Sequence, residues 1–263
     1  MPFTGFNLKY PEYEVKTPQT NLSFSVRSLS VQEEERLKGS LISPTKITEH
    51  LNKCIFEAIV KKPATIKDFK GFLKNCTLKD RDALLYGLYH ITYEEIRNYD
   101  VTCSSCRKDY PVTVQASSTF NFNNYPNKDI LKVRIPVELP MSKGVVAIVK
   151  QPSLEDEYNA LTSLGGRPGS SVDVVSETLI IDEFQQDQKD SKEPMKYTQS
   201  VDILDAYLSL PARDKRAIHK KYQEELGQYG VDLKMRTFCI HCGFEEVVDI
   251  DLVGQFFRMV YSA

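Results

Sequence analysis

The sequence has little of what would mark an enzyme. It carries four histidines in 263 residues. None lies in a His-Glu-x-x-His arrangement or beside a nucleophile motif. The His-x-Glu preceding Pro-Cys-x-x-Cys in zinc deaminases is also missing, because Thr102 and Phe238 stand directly before the two cysteine pairs. The glycine-rich stretch 165–171 lacks the Gly-Lys-Ser/Thr ending of a phosphate-binding loop and reads as a flexible linker. Long apolar runs are absent. The longest, 144–149 and 179–181, fall far short of the roughly 20 residues needed to span a bilayer. Residues 1–5 show no basic stretch leading into an apolar one, so the expectation is no signal peptide and folding in a reducing cytoplasm. A surplus of charge is missing too: a net charge of -2 gives no global pull toward nucleic acid or an anionic membrane.

What is present is ordinary globular composition, 41% hydrophobic and 27% charged, in a chain long enough to bury a core. Residues 1–29, rich in Thr, Ser, Asn, Pro and scattered aromatics, read as an extended N-terminal arm whose Phe3, Phe6, Tyr10 and Phe24 could anchor on a neighbour or wrap the chain's own core. Residues 30–99 read as a helical domain. Ser30 with Glu33, Thr65 with Asp68 and Thr77 with Asp80 carry capping-box spacing. Ser43-Pro44 opens a helix whose Ile47, Leu51, Cys54, Ile55, Ala58 and Ile59 share a face. The Thr77 helix is expected to run to about residue 98. Asp80 and Asp82 are explained as first-turn residues of that helix rather than a catalytic pair, Asp82 on its exposed side.

The period then changes. Leu131, Val133, Ile135, Val137 and Leu139 alternate with polar residues as a half-buried strand, placed at an edge by Pro136. A turn at 140–144 and a returning strand at 145–149 follow, then helices at 153–161, 201–208 and 211–226. Segment 185–200 is polar and reads as flexible and exposed. Residues 252–263 carry Leu252, Val253, Phe256, Phe257, Met259, Val260 and Tyr261 and read as an apolar C-terminal helix.

Of six cysteines, four form two matching units, Thr102-Cys103-Ser104-Ser105-Cys106 and Phe238-Cys239-Ile240-His241-Cys242, each in a strand, Cys-x-x-Cys, turn, strand context. Two such knuckles facing each other supply the four sulfurs of a closed tetrahedral site, and one structural zinc ion is the expected occupant. A redox dithiol fits less well, because neither motif opens a helix, where thiol pKa is usually depressed. An iron–sulfur cluster is the other chemistry four thiolates permit. His241, between two cysteines, should point outward. Residues 107–238 separate the pairs, far more than in common ribbons, so the metal would staple segments 100–114 and 237–251 with an α+β region, 115–236, looped out between them. The fold class is therefore α+β: an N-terminal helical unit, a split four-cysteine, zinc-ribbon-like hairpin pair and an inserted strand–helix region. Cys54 and Cys76 read as buried small hydrophobes.

Basic residues Arg213, Lys215, Arg216, His219, Lys220 and Lys221 crowd one helix, and Arg107, Lys108, Lys234 and Arg236 flank the knuckles. Asp214, Glu224 and Glu225 dilute them, and a solvated helix face explains the run more simply than a nucleic-acid interface.

Three stretches resemble the baseplate hub and hub-assembly proteins of contractile-tailed bacteriophages. They are residues 77–93, the direct run of that helix into the Cys103/Cys106 knuckle, and residues 251–261 after the Cys239/Cys242 knuckle. The resemblance implies a non-enzymatic virion or assembly component, made in the host cytoplasm and located in the tail baseplate. Its partners would be other baseplate or tail proteins, with self-association possible. A nucleic-acid-binding or transcription-associated zinc-ribbon protein is the alternative.

Overall fold

The computed structural model describes residues 9–38, 44–93, 96–115, 121–127, 129–164, 167, 171–188 and 193–249. The expected C-terminal helix at 252–263, the Gly39 stop of the first helix and most of the 165–171 linker lie outside them.

The expected arm is corrected over residues 9–29. It forms two antiparallel strands, β1 (Glu12–Lys16) and β2 (Ser23–Arg27), and β2 also pairs with β3 (Ile59–Lys61). The singly scattered apolar residues are a period-two pattern interrupted by a turn: Val15, Phe24 and Val26 point inward and are buried. Asn21, at φ 55, makes the reversal, and Thr17 N–H donates to the Leu22 carbonyl at 2.8 Å. The hairpin thus lies on the chain's own core.

Four helices complete this half: α1 (Val31–Lys38), α2 (Pro44–Ala58), α3 (Phe69–Asn75) and α4 (Leu78–Thr92). Ser30 and Glu33 bond reciprocally at the start of α1, and Thr77 and Asp80 close a capping box on α4. The start of α3 differs from expectation: Asp68 is itself the cap, accepting from Gly71 N–H, and Thr65 lies in the preceding turn. The end of α4 also differs. Tyr93 adopts an extended conformation and the chain enters strand β4 (Ile96–Thr102) instead of continuing as helix. Leu84, Leu85 and Leu88 are fully buried, and Gly87 lets β1 approach so closely that an added Cβ would stand 2.4 Å from Val15 Cγ2.

Asp80 also anchors neighbouring segments. Its carboxylate accepts from the backbone N–H of Gln19 at 2.9 Å, Thr77 at 3.1 Å and Thr20 at 3.4 Å, and from the Thr20 hydroxyl at 2.8 Å. Complete burial raises its pKa, and these donors counter the rise. Asp82 is half-buried rather than on an exposed face.

The inserted region is built on a four-stranded antiparallel sheet in the order β10-β9-β8-β7, from β7 (Arg134–Glu138), β8 (Val145–Lys150), β9 (Ile181–Gln186) and β10 (Met195–Tyr197). Pro136 sits on the edge strand β7, where a missing N–H costs no ladder bond to a further neighbour. Leu131 and Lys132, expected within that strand, belong instead to a 3-10 turn, Ile130–Lys132. Helices α5 (Leu154–Leu164), α6 (Val172–Thr178), α7 (Ser200–Ser209) and α8 (Ala212–Tyr222) accompany the sheet, and a π-helical turn, Gln223–Gly227, extends α8. Neither α6 nor β9 was expected from the sequence, and β10 occupies part of the segment read as flexible, pairing with β9 through residues 195–197. Val137, Ala147, Val149, Ile181, Phe184, Ile203, Tyr207 and Ile218 make a core separate from that of the N-terminal half.

Several contacts join the halves, among them Leu154 N–H donating to the Cys76 carbonyl at 3.0 Å. Arg81 of α4 pairs with Glu157 of α5, with Nη2 3.1 Å from Oε1. Gln19 donates to the carbonyls of Leu226 and Tyr229. Strand β6 (Asn121–Asn123) pairs with β11 (Gly230–Asp232), closing the insertion at a two-stranded neck. Among the described residues no helix is long and apolar enough to cross a membrane.

Candidate metal centre

Each cysteine pair sits at the tip of a hairpin. β4 leads into Cys103–Cys106 and β5 (Asp109–Gln115) leads out, with β4 and β5 in register from Ile96–Gln115 to Thr102–Asp109. β12 (Lys234–Phe238) and β13 (Glu245–Asp249) flank Cys239 and Cys242 in the same way. The tips match in their bonding. Cys103 N–H donates to the Lys108 carbonyl at 3.0 Å and Arg107 N–H to the Cys103 carbonyl at 2.9 Å. Cys239 N–H donates to Phe244 at 2.9 Å and Gly243 N–H to Cys239 at 2.8 Å. Both tips need one left-handed residue, supplied by Arg107 at φ 60 and Gly243 at φ 72.

This geometry brings all four expected ligands together. Cys103 Sγ lies 3.7 Å from Cys242 Sγ, Cys106 Sγ lies 3.6 Å from Cys239 Sγ, and all four sulfurs lie within 4.8 Å of one another. None forms a disulfide. Sulfurs about 2.3 Å from one tetrahedral ion stand about 3.8 Å apart, so the cluster fits a single ion. A multi-iron cluster, with each thiolate on its own iron, needs them spread wider. Among the described residues, these cysteines are the group of His, Cys, Asp or Glu side chains gathered closely enough to hold a metal ion.

Backbone donors from Cys106 and Phe244 favour the thiolates of Cys103 and Cys242, but burial and the neighbouring thiols outweigh them and raise both pKa values, Cys242 to about 12. Burial opposes ionisation of Cys239, but the backbone N–H groups of His241 and Cys242 point at its sulfur and bring its pKa to about 7. Cys106 N–H approaches Cys103 Sγ at 3.5 Å. His241 is exposed and turns away, its Nε2 donating to the Asp109 carbonyl at 3.0 Å, so it bridges the hairpins rather than joining the sulfurs. Glu246 is a second bridge, which the sequence did not single out. It accepts from Ser104 N–H and from the Tyr110 hydroxyl, each at 3.2 Å. A lone glutamate in an alternating strand carries no signal of such a role.

Cys103 and Cys239 belong to the same buried cluster as Phe72, Leu84, Tyr99, Tyr110 and Val112, so the centre is continuous with the N-terminal core. Cys54 and Cys76 lie elsewhere in that core. Burial raises both pKa values, Cys54 to about 12, leaving them inert thiols. The β6–β11 neck changes the entropic problem of a long-range staple. Because the neck already joins the chain, the metal closes a loop roughly sixfold shorter than residues 107–238 imply, which saves about 1.6 kcal/mol of closure entropy.

On the basic helix, Lys220 and Lys221 pair with Glu224 and Glu225, and Lys215 lies over the Tyr207 ring. His219 Nε2 is 2.8 Å from the Tyr207 hydroxyl. Lys215 and His219 thus pack α8 against α7, while Arg213, Arg216 and Lys220 are exposed.

The fold and centre define a protein of helices and small antiparallel sheets whose two distant hairpins meet at a four-cysteine cluster. The chain belongs to the T4 bacteriophage base plate protein family, whose model matches residues 10–258. Family membership makes it a structural component of a phage tail. No curated protein and no solved structure matches the chain.

Proposed function

We propose that the chain is a structural component or assembly factor of the baseplate hub, acting through protein–protein contacts, with Cys103, Cys106, Cys239 and Cys242 holding one structural zinc ion. The sulfur geometry carries this proposal: four thiols at tetrahedral spacing, half of them buried in the core, leave no open coordination position for substrate. Zinc here shapes and stiffens a surface and performs no reaction. The helical half, the paired hairpins and the insertion are units of one scaffold presented to neighbouring tail proteins or to further copies, in a virion assembled after synthesis in the host cytoplasm.

Quantitative mass spectrometry of purified particles and tail intermediates tests this. Peptides of the chain should co-purify with baseplate proteins, and their absence from both preparations would refute it. The nucleic-acid reading predicts instead a salt-sensitive affinity for DNA or RNA that neutralising Arg213, Arg216 and Lys220 weakens.

A further inference from the structure

The four-stranded sheet of the insertion has one face that its helices cover only in part. Phe184 stands opposite Tyr197 and Ala147, and Gln186 opposite Met195 and Val145, so these side chains share that face. Ile203 and Tyr207 of α7 and Ile218 of α8 pack with it in the core of the insertion. Beside them a cleft of about 380 Å³ stays open between the sheet and α7. Val145, Phe184 and Tyr197 line its sheet side, and Ala206 and Leu210 its helix side. Asp202 and Asp205 stand on the α7 wall as well, and no lysine or arginine is among the described residues that line the cleft. Both aspartates are exposed. Asp202 has no ion pair among the described residues, and Asp205 has a loose one, with Arg167 at 3.8 Å.

These features select an occupant by charge and shape. An apolar floor beneath two carboxylates suits a side chain with an apolar stem and a cationic head, beside a second apolar side chain. An acidic ligand is repelled, and a purely apolar one would desolvate the carboxylates without pairing them. Strand β10 favours a polypeptide over a small molecule. It is an outer strand of the sheet, and it borders the cleft through Tyr197. An outer strand offers N–H and C=O groups to the backbone of an extended segment. Met195, 46% exposed, carries the apolar surface out to that edge. From Asp202 to Ser209 α7 advances about 10 Å, the length of about three extended residues. We propose that this cleft docks an extended segment of a neighbouring protein, in which a lysine or arginine stands beside an apolar residue. The proposal goes beyond the baseplate reading and requires neither that reading nor the metal.

Two-dimensional NMR of the isotope-labelled full chain tests it. The probe is the blocked tripeptide acetyl-Leu-Lys-Leu-amide, and acetyl-Leu-Glu-Leu-amide is its charge-reversed control. The lysine peptide should bind with roughly millimolar affinity and shift the amide signals of β10 and α7. The glutamate peptide should leave them in place. Asp202→Asn combined with Asp205→Asn changes only exposed side chains, so the remaining signals should persist while binding weakens about tenfold. Salt at about 1 M, where screening acts over about 3 Å, should weaken it likewise. The proposal is overturned if neither peptide moves these signals, if both move them alike, or if the double variant binds as tightly as the native chain. Concentration-dependent broadening of the same signals without peptide would assign the cleft to a second copy, and would overturn it too.

Discussion

Replacing Cys103 or Cys239 by serine should loosen the second hairpin from the first while the insertion stays folded. Both side chains are almost wholly buried, at 0% and 2% exposure, and serine is close in size, so the change removes a ligand while leaving little cavity. The loss therefore reports the metal. Free zinc at a hundredfold excess over its dissociation constant stabilises a native state by about 2.7 kcal/mol, and small structural sites bind with roughly 10–16 kcal/mol. About 3 kcal/mol is thus a floor for the destabilisation. In a chain of this size each kcal/mol moves Tm by roughly 2–4 °C, which gives a fall of about 6–12 °C. Thermal scans with and without chelator should show it: chelator should lower the Tm of the native chain and leave the variants unchanged. Limited proteolysis locates the damage. The β6–β11 pairing should hold, so new cleavage should fall after Asp232 and near Cys103–Cys106, and not within 134–222. A Cys103→Ser or Cys239→Ser variant with native Tm and native protease resistance after residue 237 would refute the staple.

Arg81→Ala should cost about 3 kcal/mol by leaving the largely shielded Glu157 unpaired, and the Arg81→Met, Glu157→Leu double variant should recover much of it in urea titrations. Burial opposes ionisation of Glu33, but Arg27 and Ser30 hold its pKa at about 2, below its ordinary 4.5. Its contribution is therefore present above pH 4.5 and lost as pH falls toward 2, so Glu33→Gln should flatten the fall in urea midpoint across that window. Gly243→Ala should cost about 1 kcal/mol through its left-handed backbone alone, since an added Cβ meets nothing within 4 Å; chemical denaturation measures it.

The sequence was most legible where local chemistry and long-range packing agree. Ser30 with Glu33 and Thr77 with Asp80 are complete capping signals within four residues, and both helices begin there. Pro136 announced an edge strand because its ring removes a donor that an inner strand would need. The Cys-x-x-Cys units were legible as a pair because each repeats the same turn chemistry.

Failures came where tertiary packing decides. Thr65 and Asp68 have box spacing, yet Asp68 caps the helix with its own side chain, an alternative that spacing does not distinguish. Residues 12–27 hid a hairpin because its inward residues are split between two short strands, and only packing on α4 reveals the shared face. Strand β9 was hidden because its apolar residues, Ile181 and Phe184, are too few to alternate clearly. In the metal centre, Glu246 and His241 bridge hairpins far apart in sequence, and neither contact leaves a local trace.

The metal content of the chain purified without added metal tests the central claim most directly. Native mass spectrometry with elemental analysis should find one zinc ion per chain, lost in the Cys239→Ser variant. A chain that is folded and metal-free, or that carries iron in place of zinc, would contradict it.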